Sequence, residues 1–556
     1  MSSNYNQLFT LALFDQLKKI NIKNIFISPG LRNAPLIIAA TKTEGFNIVS
    51  EIDERIASYR ALGAAKATQT PSLLICTSGT ALLNYYPALA EASKTSTPII
   101  VISADRPKDL IGMNTNQTLN QLNIFNQIGI ESIDVECPNK ELPLYNTIKN
   151  ILFSINHQCI ENKNSIHLNI PFREFLDEGY QDIDSKSKIE FDEILNNQDP
   201  IFQTSGKINN KHLERPLILI GQTTKKNTTE IFNFLEKNPV LNICDISSGI
   251  KLLLNSKTGT LPSIDHQEIE NFIAKYQPSC ILQIGENLVS KKYDLLFREN
   301  KIPWYYYNDN ARPIPSSCPT IKLDSAKIDL IDILNTFNSA NTETVIDFID
   351  NIDHYKRDII ESGPKLTLPL FSKRYLDYVK DGQYLFLGNS SCIRSFDLYI
   401  NSATNLKKNL TIYTNRGVSG IEGNIATAAS MAELLDKNLD IVIGDISLLH
   451  DLTGLKLIKD IKSTIRIFVL NDQEGGIFNL IPLKMSQDAK EKMTTPHSYH
   501  FQHICDQFNL DYALIEDELQ LKNSILSQPK KSILFEIKID SKTNGEIYHK
   551  LKTIRE

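Results

Sequence analysis

Short apolar runs alternate with helical patterns along the whole chain, and they fall into three blocks. Such runs are typical of strands that are buried on both faces of a parallel sheet. They predict strands near residues 25–28, 73–77, 99–103 and 166–170 in the first block, 217–221, 241–244, 280–285 and 304–308 in the second, and 384–387, 410–414, 441–443, 465–470 and 533–537 in the third. Because helical patterns separate the strands, the predicted fold class is α/β with three parallel-sheet domains.

Two polar stretches between the blocks predict the domain boundaries. The domains are expected over residues 1–180, 210–337 and 366–556, with linkers over 181–209 and 338–365. A chain of 556 residues has room for about three to four domains. Its composition, 41% hydrophobic and 22% charged, is typical of a globular protein with sizeable cores.

Charge and cysteine usage exclude several classes of protein. The formal net charge is −6 and basic residues form no long runs, which argues against nucleic-acid binding. The eight cysteines are scattered without a CxxC pair, as expected for a reducing compartment and not for a zinc or disulfide framework. No apolar stretch approaches the roughly 18 residues of a membrane span. These features predict a soluble, cytoplasmic protein.

Two acidic residues follow neighbouring strands of the third block and are the strongest candidates for chemistry. Asp445 follows the run at 441–443, and Asp472 follows the run at 465–470. Ligands of open parallel sheets lie beyond the carboxyl ends of the strands, and paired carboxylates there suit a hard divalent cation with phosphate oxygens. Each residue alone could instead cap a helix or begin a turn. The pair favours a metal–diphosphate site.

The same residues carry a family resemblance. Gly444-Asp445 followed by Asn471-Asp472 resembles the metal–diphosphate motif of thiamin diphosphate-dependent enzymes. The resemblance implies a pyrimidine-binding, a central and a diphosphate-binding domain. It also implies that Asp445, Asp472 and the main-chain carbonyl of Glu474 hold Mg²⁺ or Mn²⁺. The cofactor-binding residues that it implies are Gly388, Ser390, Ser419, Ile421, Gly444, Asp445, Ile446, Ser447, Asp472 and Ile477.

A catalytic residue and a dimer follow from the same resemblance. Glu54, in the sequence Asp53-Glu54-Arg55, matches the glutamate that bonds to the pyrimidine ring of the cofactor and activates it. By itself the sequence could be an ordinary helix start. In the family this glutamate and the diphosphate site meet across a subunit interface, so the expected assembly is a homodimer or a tetramer of two dimers.

Cationic residues around the predicted site indicate the substrate class. The segments SPGLRNAPL, GDISLLHDLTGL and GGIFNLIP resemble the branch of the family that decarboxylates 2-oxoglutarate and adds the succinyl semialdehyde unit to isochorismate in menaquinone biosynthesis. That resemblance implies the substrate-binding residues Arg32, Arg106, Asn116, Gln117, Lys291, Lys292, Ser390, Arg394, Arg416, Ile477 and Phe478. The positive charge of the arginines and lysines in this set suits a di- or tricarboxylate more than pyruvate.

The chain departs from that branch at a few positions, and two other functions remain open. Leu31 stands where the branch has serine, Asn114-Thr115 where it has Gly-Ala, and Lys292 where it has arginine. One alternative is another 2-oxoacid decarboxylase or acetolactate-type synthase of the same family. The other is a non-catalytic protein that binds the cofactor. His497, His500 and His503 are interpreted as ordinary helix residues and not as metal ligands.

Overall fold

Three parallel sheets form the framework of the chain in this computed structural model. The structure describes residues 5–113, 115–173, 176, 214–286, 288–290, 292–293, 302–308, 320–323, 325, 328–337, 343–399, 408–480 and 486–553. Every strand pairing within the three sheets is parallel. The predicted α/β class with three parallel sheets is therefore confirmed.

The first sheet has six strands in the order β2-β1-β3-β4-β6-β5. Its strands are β1 (Asn24–Ile27), β2 (Asn47–Ser50), β3 (Ser72–Cys76), β4 (Ile99–Asp105), β5 (Glu131–Asp134) and β6 (Ile166–Pro171). The four inner strands are buried along their whole length, as their continuous apolar runs predict. The edge strands β2 and β5 are partly exposed and were not predicted.

The second sheet has five strands in the order β11-β10-β9-β7-β8. Its strands are β7 (Pro216–Ile220), β8 (Asn242–Cys244), β9 (Cys280–Ile284), β10 (Trp304–Tyr307) and β11 (Thr320–Leu323). The third sheet has six strands in the order β13-β12-β14-β15-β17-β16. Its strands are β12 (Tyr384–Leu387), β13 (Thr411–Thr414), β14 (Leu439–Gly444), β15 (Ile465–Asn471), β16 (Asp511–Ile515) and β17 (Ile533–Lys538).

Helices precede or follow most strands, as parallel connections require. Those described are α1 (Tyr5–Lys19), α2 (Ala34–Lys42), α3 (Glu54–Thr68), α4 (Thr80–Leu83), α5 (Tyr86–Lys94), α6 (Leu144–Ile155), α7 (Lys225–Lys237), α8 (Gln267–Tyr276), α9 (Leu330–Leu334), α10 (Glu343–Glu361), α11 (Leu368–Tyr378), α12 (Ser391–Tyr399), α13 (Asn424–Leu435), α14 (Asp445–His450), α15 (Leu455–Ile458), α16 (Gln487–Thr494), α17 (Gln502–Phe508), α18 (Glu518–Leu526) and α19 (Ser541–Lys552). Among these, no helix has the length and apolarity that crossing a lipid bilayer requires.

The chain divides into two compact units. The first contains residues 1–202, 425–436 and 453–457, and the second contains residues 203–424, 437–452 and 458–556. In the first unit, α3 packs closely on α13. A Cβ atom at Gly63 would lie only 2.4 Å from the carbonyl oxygen of Thr427, so only glycine permits this approach. Arg60 extends the contact by pairing with Glu433 at 2.7 Å.

Candidate active site

The two acidic residues of the third sheet lie on adjacent strand ends, as the sequence predicts. β14 and β15 pair up to Gly444 and Leu470, so Asp445 and Asp472 leave the same edge of the sheet. Asp445 is buried, and its Oδ1 accepts a 2.7 Å hydrogen bond from the Ile446 N–H. The following turn wraps closely around Asp472, since a Cβ atom at Gly476 would lie 1.9 Å from its Oδ2.

The electrostatics of this acidic pair fit a bound cation. Burial raises the pKa of the Asp445 carboxyl above its ordinary value. Burial, and then the negative charges of Asp445 and Glu474, raise the pKa of Asp472. Asp445 Oδ2 is buried and has no hydrogen-bond partner among the described residues. A buried carboxylate oxygen without a hydrogen bond is costly, and a divalent cation would reduce that cost.

The Glu474 side chain already makes hydrogen bonds within the protein, and its main-chain carbonyl is the predicted ligand of such a cation. Its carboxylate accepts hydrogen bonds from the Ser541 hydroxyl and, at 2.8 Å, from the Asn479 amide. Its carbonyl oxygen accepts the Gly476 N–H at 2.9 Å. No cluster of three or more His, Cys, Asp or Glu side chains suited to a metal occurs in the described part of the chain. Two carboxylates and a carbonyl leave room for phosphate oxygens, which Mg²⁺ commonly takes as ligands.

Three neighbouring loops of the third sheet hold most of the predicted cofactor residues. After β12, Gly388 passes so close to β14 that a Cβ atom there would lie 2.7 Å from Ile443 Cγ2. After β13, the Ile421 carbonyl accepts the Ser447 hydroxyl at 2.7 Å and the Asn424 amide at 2.7 Å. The bond from Ser447 joins the loop that contains Ile421 to the first turn of α14, and the bond from Asn424 joins it to the start of α13.

Backbone strain marks the same loops. Ser390 and Ser419 have φ values of 65° and 60°, and Gln473 in the acidic turn has a φ value of 60°. Left-handed conformations cost free energy in residues other than glycine, and they persist where the surroundings enforce them. Asn389, which no sequence motif marks as functional, donates to the carbonyls of Asn415 and Gly420 at 2.7 Å each. It thereby supports the turn between them.

The predicted substrate residues of the second unit differ in how they are held. Arg416 is buried and donates to Asn389 Oδ1 at 3.0 Å and to the Val289 carbonyl at 3.2 Å. Arg394 donates to the Ser390 carbonyl at 2.8 Å. Ile477 and Phe478 lie half-buried in the 3₁₀ helix Gly476–Leu480.

Of the two lysines predicted to bind substrate, the structure describes one. Lys291 lies outside the described residues. Lys292 forms an ion pair with Glu270 at 3.0 Å, so part of its charge is already compensated within the second unit. Lys292 stays a predicted substrate residue.

In the first unit, the strand ends bring Arg106 and Gln117 together. Arg106 Nη1 donates to the Ser78 hydroxyl and, at 3.0 Å, to the Gln117 carbonyl. The Gln117 amide donates to the Ser78 carbonyl at 2.9 Å. Asn116 is the exposed neighbour of Gln117. Three segments that are distant in sequence thus form one polar cluster.

Arg32 and Glu54 lie at two other strand ends of the first sheet. Arg32 Nη1 donates to the Phe172 carbonyl at 2.9 Å, and the side chain of its neighbour Leu31 is 78% exposed. Glu54 begins α3 directly after its N-cap, Asp53, which accepts the Arg55 N–H at 2.9 Å. Glu54 Oε2 accepts a 3.3 Å hydrogen bond from the Asn84 amide. Glu54 is therefore the first residue of a helix, and the Asn84 side chain also orients its carboxylate.

The predicted helical location of the histidines is wrong for two of the three. Only His503 lies in a helix, α17, whereas His497 and His500 precede it in irregular chain. The side chain of His497 is 6% exposed, and its Nε2 lies 3.3 Å from Asp445 Oδ2. Pro496 carried the missed signal, because proline disfavours helix in the residue before it and predicts a break there.

Comparison with known proteins agrees with this geometry. Residues 9–124 match the family model "Thiamine pyrophosphate enzyme, N-terminal TPP binding domain". A 2-succinyl-5-enolpyruvyl-6-hydroxy-3-cyclohexene-1-carboxylate synthase of Syntrophus aciditrophicus is 31% identical over 100% of this chain and 99% of its own length. Proteins of the same name from Christiangramia forsetii and Chlorobium phaeobacteroides are 31% and 30% identical, over 95% and 91% of this chain and 95% and 90% of their own lengths. The chain therefore belongs to the family of thiamin diphosphate-dependent enzymes.

Proposed function

We propose that this enzyme decarboxylates 2-oxoglutarate and adds the succinyl semialdehyde unit to isochorismate in a 1,4 sense. The product would be 2-succinyl-5-enolpyruvyl-6-hydroxy-3-cyclohexene-1-carboxylate, an intermediate of menaquinone biosynthesis. The observation that carries the proposal is the similarity, over nearly the full length of both chains, to relatives that bear the name of this synthase. A whole-chain match includes the substrate-binding segments as well as the cofactor domain.

One set of residues would bind the cofactor and its metal ion, and another would bind the substrates. Thiamin diphosphate, when bound, supplies the carbanion chemistry that decarboxylates a 2-oxoacid and passes the remaining unit to an acceptor. Glu54 would hold the pyrimidine ring, and the Asn84 amide keeps the Glu54 carboxylate oriented for that contact. Asp445, Asp472 and the Glu474 carbonyl would hold Mg²⁺ or Mn²⁺ and, through it, the diphosphate.

Cationic side chains would position the substrates. Arg106 is held by Ser78 and the Gln117 carbonyl, and Arg416 is held by Asn389. Guanidinium groups fixed in this way suit the bidentate recognition of carboxylates. The remaining members of this set are Arg32, Asn116, Lys291, Lys292, Ser390, Arg394, Ile477 and Phe478.

The proposal includes a homodimer with active sites at the subunit interface. Ile52 is 83% exposed only two residues before Glu54, and a subunit interface at this position would cover it. Residues 1–180, 210–337 and 366–556 would form the pyrimidine-binding, central and diphosphate-binding domains.

The decisive experiment follows isochorismate consumption by the purified protein with 2-oxoglutarate, thiamin diphosphate and Mg²⁺, each omitted in turn. We expect consumption only when all components are present, with one CO₂ released per product formed. Release of CO₂ without isochorismate would instead assign the chain to a decarboxylase or acetolactate-type branch. Tight cofactor binding without turnover of either substrate would support a non-catalytic protein and overturn the proposal.

A further inference from the structure

A fully buried glutamine lies at the end of the loop that contains Asn116 and Gln117. Gln121 is 0% exposed, and its Oε1 accepts the Gly79 N–H at 2.7 Å. Its Nε2 donates to Asn169 Oδ1 at 2.9 Å, with Ser103 Oγ and the Ala104 carbonyl each at 3.2 Å. Both ends of the amide are thus satisfied by main chain and side chains from three strand ends of the first sheet.

The partners of Gln121 lead directly to Arg106. The Asn169 amide donates to Asp105 Oδ2 at 3.0 Å, and Asp105 Oδ1 accepts the Arg106 N–H at 2.7 Å. On its other side, Gln121 accepts the hydrogen bond from the Gly79 N–H. Gly79 follows Ser78, whose hydroxyl accepts a hydrogen bond from the Arg106 guanidinium. Gly79 has a φ of +86°, and a Cβ atom there would lie 3.0 Å from Gln117 Cγ, so the turn packs closely against the loop.

The network also contains a buried histidine, His167. Burial lowers the pKa of His167 to about 3, so this imidazole is neutral at physiological pH. Its two ring nitrogens lie 2.7 Å from Ser103 Oγ and 3.0 Å from Ser132 Oγ. The Ser103 hydroxyl in turn donates to Asn169 Oδ1 at 3.0 Å. Gln121, Asn169 and Ser103 have no buried polar side-chain atom without a partner among the described residues, and a satisfied network holds its members rigidly.

We infer that Gln121 is a positioning residue for the carboxylate-binding pair Arg106 and Gln117, acting through Gly79 and Asn169. This inference rests on the proposed function, because it assigns Arg106 to a carboxylate substrate. Gln121 touches neither cofactor nor substrate in this assignment. Its contribution is to hold the Ser78–Gly79 turn and the 115–121 loop in register, which fixes where the guanidinium lies.

The test compares Gln121→Met with Gln16→Met. Methionine keeps the length of the side chain and removes both its donor and its acceptor. Gln16 is a matched control because it is also buried in the first unit, but within the described part of the chain its amide bonds only to the adjacent Asp15. We expect Gln121→Met to raise KM for one of the two carboxylate substrates about 10- to 100-fold, since small displacements of binding groups have effects of this size. Cofactor affinity should stay at the wild-type value.

Three results would overturn the inference: unchanged KM values, a fall in kcat alone, or equal effects of Gln121→Met and Gln16→Met. If Gln121→Met does not fold, Gln121→Glu decides. A neutral carboxyl group can still accept from Gly79 and donate to Asn169, and burial keeps it neutral to higher pH than an exposed one. The KM of this variant should therefore rise with pH while that of the wild type does not, and parallel pH profiles would contradict the inference. Failure of the wild type to consume isochorismate would refute the proposed function separately.

Discussion

At the scale of single residues, His497 extends the candidate site beyond the motif residues. Its Nδ1 accepts the Tyr499 N–H at 3.2 Å, which leaves Nε2 as the ring nitrogen that can donate. Nε2 and Asp445 Oδ2 are both buried, 3.3 Å apart, and without a hydrogen-bond partner among the described residues. Groups that flank a metal-binding carboxylate orient it, and a donor in this position can do so.

We expect His497→Leu to weaken the binding of thiamin diphosphate and Mg²⁺ by about 10- to 100-fold, the usual effect of losing a group that orients a metal ligand. Calorimetric titration with cofactor at saturating Mg²⁺, and with Mg²⁺ at saturating cofactor, measures the change without turnover. His503→Leu is the matched control, because the His503 side chain is 98% exposed. His497→Gln retains an N–H donor and should recover part of the affinity. Equal affinities in all three variants and the wild type would refute this role.

At the scale of elements, α12 connects the candidate site to the rest of the second unit. Its first turn contains Arg394, and near its end Asp397 accepts Lys251 Nζ at 2.8 Å, Ser263 Oγ at 2.9 Å and the Ile246 N–H at 2.9 Å. Lys251 and Asp397 are both almost fully buried. The pair therefore fixes the orientation of the helix by interactions that water does not screen.

Lys251→Met should destabilise the second unit by about 3–5 kcal/mol, because it leaves the Asp397 carboxylate buried without its counter-charge. Adding Asp397→Leu should restore much of that stability, since replacing both partners removes the uncompensated charge. Trp304 is the only tryptophan and lies buried in β10, so its fluorescence during urea denaturation reports on this unit. If the double variant is as unstable as the single one, the ion pair is not what holds α12.

Burial determined which strands the sequence could predict. All four strands that were not predicted, β2, β5, β11 and β16, lie at sheet edges. β2, β5 and β16 are partly exposed, so they lack the continuous apolar run of an inner strand. β13 and β8 are edge strands as well, but their apolar residues still identified them.

The candidate site was predictable where it coincides with short motifs. Asp445 and Asp472 follow from strand ends that the chain itself reveals. His497, Gln121 and the Lys292–Glu270 pair depend on contacts between segments far apart in sequence. Their residue types are common in loops and on exposed helices, so nothing local distinguishes them before the chain is folded.

At the scale of the whole molecule, the proposed homodimer determines which chain completes each active site. If Glu54 of one subunit serves the Asp445 site of its partner, mutations in different chains can complement each other. A symmetric dimer contains two equivalent sites. A mixed dimer therefore distinguishes sites shared between subunits from sites formed within one chain. The structure offers suitable substitutions, since Glu54→Gln and Asp445→Asn each change one functional group and keep the side-chain shape.

We expect a heterodimer of one Glu54→Gln chain and one Asp445→Asn chain to regain about half of the wild-type activity, because one of its two sites has both residues intact. Two different affinity tags isolate this species from the inactive parents. The control pairs a wild-type chain with a chain carrying both substitutions. With sites shared between subunits, each site of the control has one altered residue, and the control should be inactive. If each site is instead formed within one chain, the control should be half-active and the heterodimer of single variants should be inactive. That outcome would refute the shared site.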